Sequence, residues 1–187
     1  MADRYDVIIV GAGPAGIFCA LELARAGDLR VLMLEKGEGL DERRCPEPAG
    51  HCRHCRSCSV LSGWGGAGAY SDGKLSLSGQ IGGWLGDFVP EGKLEDLIKR
   101  VDRTYLEFGA PERTFGEDEE KTGDIARSAV KADLQLIPSR IRHMGTEVCS
   151  VVLKGMYEKV RDSVDIMMRT EVERINVRDG AVRGVTT

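Results

Sequence analysis

Three glycines, Gly11, Gly13 and Gly16, stand in G-x-G-x-x-G spacing directly after four apolar residues, Val7 to Val10. The spacing suits a dinucleotide. The first glycine permits a tight strand-to-helix turn, the second lets backbone N–H groups approach a pyrophosphate, and the third lets helix and strand pack closely. The phosphates then sit at the positive end of a helix. Glu35 lies nineteen residues beyond Gly16, close to the interval of about twenty at which a carboxylate accepts hydrogen bonds from an adenosine ribose. A ribose 2′-phosphate would be repelled there.

A second set of reactive side chains follows at once. Cys45, Cys52, Cys55 and Cys58 are spaced C-x6-C-x2-C-x2-C, with His51 and His54 between them and Arg43 and Arg44 just before. A C-x2-C-x2-C run suits an iron–sulfur cluster, with Cys45 as fourth ligand. The same thiolates, or three of them with a histidine, suit a tetrahedral zinc. Unligated, redox-active thiols are the remaining reading. Cys19 and Cys149 fall on helical apolar faces and read as small core residues.

The segment LSGWGGAGAYSDGKLSL, Leu61 to Leu77, is almost bare of side chains around Gly63, Gly65, Gly66 and Gly68. Successive N–H groups in such a stretch form an anion-binding concavity or lie flat against a planar ring. Asp72 and Lys74 follow it and are candidate proton-transfer groups, though nothing in the sequence declares a catalytic residue. His143, before Gly145-Thr146, reads as structural or substrate-facing.

These residues need elements to position them. Val7–Val10 and Val31–Leu34 read as strands buried on both faces. Between them Ile17, Leu21 and Ala24 recur at helical spacing until Gly27 ends the helix. Lys93–Phe108 is an amphipathic helix closed by Gly109 and Pro111. A further helix is expected over Asp124–Ile137, and another after Thr146 as N-cap. The end is β-rich: Val164–Met168, Thr170–Val177 and Ala181–Thr186, with Asp179-Gly180 as a two-residue hairpin signal. The class is α/β, a Rossmann-like parallel sheet begun by a βαβ unit, with a β-meander near the C-terminus and an inserted helical segment. The expected segments are 1–79, 80–145 (mostly helical, inserted) and 146–187.

Composition narrows the classes. At 187 residues with net charge −4, the chain lacks the basic character of nucleic-acid binding. No run of eighteen apolar residues suggests a membrane span. The opening Met-Ala-Asp-Arg-Tyr-Asp lacks a signal peptide's positive charge, so a cytoplasmic protein is expected. Glycine is the outlier, and ten of the 24 glycines fall between Leu61 and Gly92, where backbone lies close against something.

GAGPAG with LEKG resembles the N-terminal half-site of FAD enzymes of the glutathione-reductase type. The cysteine loop followed by GWGGAGAYSDGKL, together with RHMGTE, resembles a family of NAD(P)/FAD-dependent oxidoreductases, FAD-dependent dehydrogenases of ill-defined substrate. The resemblance implies that Gly11, Gly13, Pro14, Ala15 and Gly16 hold the pyrophosphate. Glu35 and Lys36 would flank the adenosine ribose, and Arg44 would reach the phosphates. Gly65, Gly66 and Ala67 would lie by the ribityl chain or flavin, and Val172 would offer its backbone to the adenine. Hydride transfer between FAD and a small-molecule substrate or NAD(P)H is then expected. Family members are longer and carry a C-terminal glycine–aspartate segment that this sequence lacks, so an N-terminal fragment is expected. An inactive nucleotide- or metal-binding fragment is the alternative. An NAD-only dehydrogenase fits less well, because the proline of GAGPAG and the second glycine loop look flavin-like.

Overall fold

A computed structural model describes residues 4–48 and 50–187. Met1, Ala2 and Asp3, read above for a targeting signal, and Ala49 of the cysteine loop lie outside the described residues. Along the chain the elements are β1 (Val7–Val10), α1 (Pro14–Ala26), β2 (Val31–Leu34), β3 (Lys74–Ser76), α2 (Lys93–Glu107), β4 (Thr114–Phe115), α3 (Glu119–Val130), β5 (Ile141–His143), α4 (Gly145–Arg161), β6 (Val164–Met167), β7 (Arg174–Arg178) and β8 (Ala181–Thr186). Short 3-10 helices cover Gly66–Tyr70 and Leu85–Asp87. The chain divides into two units: one runs to Ser71 and resumes over Leu153–Thr187, the other is Asp72–Val152.

The first unit is built on a parallel sheet in the order β1-β2-β6. β1 and β2 pair from Val7↔Val31 to Val10↔Leu34, and β2 and β6 from Val31↔Val164 to Leu34↔Met167. All four residues of the central β2 are buried, which is why that strand reads as a continuous apolar run rather than an alternating one. Ile17, Ala20 and Leu21 of α1 are buried, as are Leu153, Met156 and Val160 of α4. Gly16 has no room for a side chain: a Cβ there would lie 2.0 Å from the Gly11 carbonyl oxygen.

The expected meander takes a different form. Val164–Met167 joins the parallel sheet as its third strand, and only β7 and β8 pair antiparallel, as a separate two-stranded ribbon. Its turn carries Asp179 at φ 54° and Gly180 at φ 72°, the pair of positive angles that a type I′ turn requires.

The second unit holds the antiparallel sheet β3-β5-β4 with α2 and α3. Its strands have only two or three residues each, too few for a period-2 signal, so none was legible in the sequence. Arg142 of β5 is buried and donates from Nε and Nη2 to the Asp102 carboxylate of α2 at 2.6 and 2.8 Å. That pairing holds its guanidinium above its usual pKa. α3 starts five residues earlier than the expected Asp124, because Asp118 accepts from the Lys121 N–H at 3.0 Å and Glu119 and Glu120 stand in the first turn, both favoured at a helix start. It also stops before Pro138, at Val130, with Asp133 at φ 55° beyond it. Thr146 lies inside α4 rather than capping it.

Candidate functional site

The site is assembled in the first unit from the turn after β1 outward. Gly11 takes φ 97° and donates its N–H to the Leu34 carbonyl at 2.7 Å, tying the turn to the end of β2. Gly13, in extended conformation, is the N-cap of α1 and Pro14 opens the helix. Proline at that place loses no hydrogen bond.

Glu35, only 6% exposed, continues β2 into this turn. Its Oε2 accepts from the Ala12 N–H at 2.7 Å, and its Oε1 from the N–H groups of Gly37 and Gly63 at 2.8 and 2.9 Å. A carboxylate offers about four acceptor positions. One on Oε2 therefore stays open to a ligand, while the other three knit the turn after β1, the end of β2 and the glycine-rich loop together. A Cβ on Gly37 would fall 2.3 Å from the Gly63 nitrogen, so the two loops meet backbone to backbone.

The glycine-rich loop is gripped from below as well. Trp64 is fully buried, donates Nε1–H to the Leu153 carbonyl of α4 at 2.8 Å, and meets the Tyr157 ring edge-on at 5.0 Å. The Gly65 N–H donates to the Ala12 carbonyl at 2.8 Å. Arg43, 4% exposed, reaches under the loop. Its Nε donates to Ser59 O, Nη2 to Val60 O, and Nη1 to both Trp64 O and Gly66 O, at 2.7–2.9 Å. Its guanidinium lies 4.8 Å from the Tyr70 ring centroid, and the Tyr70 hydroxyl donates to the Arg43 carbonyl. Burial pulls the Arg43 pKa down, partly opposed by Tyr70, Glu35 and Cys58.

Between these walls opens a cleft of about 340 Å³ lined by Val10, Gly11, Gly13, Leu34, Glu35, Lys36, Leu61, Ser62, Gly66, Thr170, Glu171 and Val172. Six of the residues singled out above therefore share it: Gly11, Gly13, Glu35, Lys36, Gly66 and Val172. Pro14, Ala15 and Gly16 form the first turn of α1. Gly65 is buried beneath the loop. Ala67 and Arg44 are exposed and line no part of the cleft. Of the adjacent arginines, burial singles out Arg43. The sequence showed the pair but carried no signal to choose between them. Thr170 and Glu171, in the irregular segment before β7, were also missed.

The expected metal site is not assembled. Among the described residues, no three or more His, Cys, Asp or Glu side chains converge as metal ligands. Cys52 and Cys55 are exposed on an irregular loop, Cys45 and Cys58 are half-buried, and all four are free thiols. Local spacing had suggested a cluster, but nothing folds the loop into a tetrahedron. Cys149 is buried as expected, and its burial raises the thiol pKa. Cys19 is exposed instead, on the outward side of α1. In the second unit Lys74 Nζ pairs with Asp72 Oδ2 at 2.7 Å and lies opposite His143 in the β3–β5 ladder. The Lys74 ammonium holds the Asp72 carboxyl below its ordinary pKa. All three residues are exposed.

Comparison with known proteins shows the family. An uncharacterised protein of Clostridium beijerinckii is 30% identical over 181 residues, which cover 95% of this chain and 27% of that protein. Digeranylgeranylglycerophospholipid reductase 1 of Methanococcoides burtonii is 50% identical over 54 residues, 28% of this chain and 13% of that one. The chain thus spans about a quarter or less of the length of these curated relatives. Among solved structures, the 3-ketosteroid-delta4-(5alpha)-dehydrogenase of Rhodococcus jostii superposes with a TM-score of 0.57 at 19% identity, covering 97% of this chain and 41% of that one, a likeness of fold. The model of the family described as FAD binding domain matches residues 4–186, so this chain belongs to the FAD binding domain family, and its cofactor is FAD.

Proposed function

We propose that this chain is the FAD-binding portion of an oxidoreductase that moves a hydride between FAD and a small-molecule substrate or NAD(P)H. The observation that carries the reading is the single cleft shared by the phosphate turn (Gly11, Gly13), the end of β2 (Glu35, Lys36), the glycine-rich loop (Gly66) and the segment at Val172. Bound FAD supplies two-electron hydride chemistry, and the protein supplies position and electrostatics. Gly11, Gly13 and the first turn of α1 hold the pyrophosphate at the helix N-terminus. The open position on Glu35 Oε2 accepts from a ribose hydroxyl, with Lys36 beside it. Val172 and its neighbours face the adenine, and Gly65–Ala67 run toward the ribityl chain. Asp72 and Lys74 are offered as proton-transfer groups. Segment 80–145 is assigned to substrate selection. Among the described residues no helix is long and apolar enough to cross a membrane.

The test is FAD binding to the full-length protein and its Gly13→Val variant, followed by anaerobic mixing with NADH or NADPH. Tight binding lost in the variant is expected, with bleaching of the bound flavin by one of the two nucleotides. Binding unaffected by Gly13→Val would place the cofactor elsewhere. A flavin that stays oxidised with both nucleotides would rule out NAD(P)H as hydride donor.

A further inference from the structure

Arg43 is a buried cation whose hydrogen bonds all go to neutral partners. Four of its N–H donors reach the carbonyls of Ser59, Val60, Trp64 and Gly66, and its guanidinium faces the Tyr70 ring. Among the described residues no carboxylate forms an ion pair with it. The burial of a guanidinium held this way is costly, and the Glu35 carboxylate offsets that cost only in part and without a direct contact, so further negative charge in the cleft would be favoured.

The hydrogen bonds lead from Arg43 to the cleft. Nη1 donates to the Trp64 carbonyl at 2.7 Å. The other end of that planar trans peptide is the Gly65 N–H, which donates to the Ala12 carbonyl at 2.8 Å. The other end of the next peptide is the Gly13 N–H, turned away from the loop by the same planarity. Gly13 lines the cleft, and among the described residues its N–H has no acceptor. Two peptide dipoles thus run head to tail from the guanidinium to a donor on the cleft wall, and hydrogen bonds in such a chain polarise one another.

We propose that Arg43 is the positioning residue and remote counter-charge of the diphosphate, acting on the Gly13 N–H through the Trp64–Gly65 and Ala12–Gly13 peptides. The inference rests on the nucleotide reading of the cleft. It assigns to Arg43 a preference for the charged part of the ligand and not for the nucleoside.

The test is the ratio of affinities for ADP and for adenosine, measured calorimetrically on the full-length apoprotein and on its Arg43→Lys and Arg43→Met variants. The wild type is expected to prefer ADP. Arg43→Met should cut that preference roughly tenfold or more with adenosine affinity little changed, while Arg43→Lys should keep most of it. A loop anchor without an electrostatic role would weaken both ligands alike, and lysine would fail to rescue. An unchanged ADP-to-adenosine ratio in Arg43→Met, or loss of the preference in a folded Arg43→Lys, overturns the proposal. Should Arg43→Met not fold, the lysine variant alone decides. A wild type that binds neither ADP nor FAD overturns the nucleotide reading and this inference with it, whereas binding with an unmoved ratio overturns the inference only.

Discussion

Glu35 shows how much one side chain does for the fold beside the ligand role proposed for it. Its carboxylate accepts from three backbone N–H groups on three different segments. A residue serving the ribose alone would leave the unliganded protein's stability unchanged on substitution. Here Glu35→Gln puts an amide N–H₂ where an acceptor is needed, orphaning at least one buried donor at about 1–3 kcal/mol. The expected outcome is a lower melting temperature without nucleotide as well as weaker FAD binding. Thermal melts of apoprotein check it, and an unchanged apo melting temperature would confine Glu35 to the ligand. Gly16→Ala belongs to the same scale. Its Cβ would sit 2.0 Å from the Gly11 oxygen, and forcing atoms into such a contact costs about 1–3 kcal/mol or more. Helix α1 must move off the turn, so the variant should lose stability and FAD together. The glycines and Glu35 were legible because their spacing is local. Arg43 was not, because its value comes from carbonyls at Ser59 through Gly66 that only the fold brings around it.

Elements differ in how they announce themselves. β1, α1 and β2 followed from apolar runs and a helical period, and the β7–β8 turn followed from Asp179-Gly180. The placement of β6 beside β2 did not, since a strand's sequence does not say which neighbour it will pair with. In the second unit the joint between elements is the Arg142–Asp102 pair, linking β5 to α2 with Arg142 buried and Asp102 nearly so. Asp102→Ala leaves the guanidinium with the Pro111 carbonyl but without its carboxylate and should cost about 3–5 kcal/mol, read as an early transition in urea. The same unit carries two neutral groups whose pKa is raised, Cys149 by burial and Tyr105 by burial and then by Cys149. A raised folded pKa stabilises fully below the unfolded value and is lost as pH climbs through the folded one. Stability should therefore hold at neutral pH and fall from about pH 8.5 upward, where the unfolded thiol ionises first. Denaturant midpoints measured across that range check the slope. Tyr105→Phe should flatten the fall above about pH 10, the ordinary tyrosine value.

On the scale of the whole molecule, the chain spans 27% of the Clostridium beijerinckii relative and 41% of the steroid dehydrogenase it resembles in fold. The cleft nevertheless draws all its walls from the first unit, from both stretches of chain that compose it. Family and cofactor were legible because the βαβ motif writes its chemistry into about thirty residues of continuous sequence. The cysteine loop left its readings open for the opposite reason. Ligand spacing is necessary for a metal site, but convergence is a property of the fold, and those thiols stay apart. The central claim is that this cleft holds FAD. It is tested most directly by recording the visible spectrum of the full-length protein as purified, after adding FAD, and after denaturation. A flavin doublet that co-purifies or appears on reconstitution, and is released on unfolding, is the expected result. A colourless full-length protein that takes up no added FAD would contradict the account.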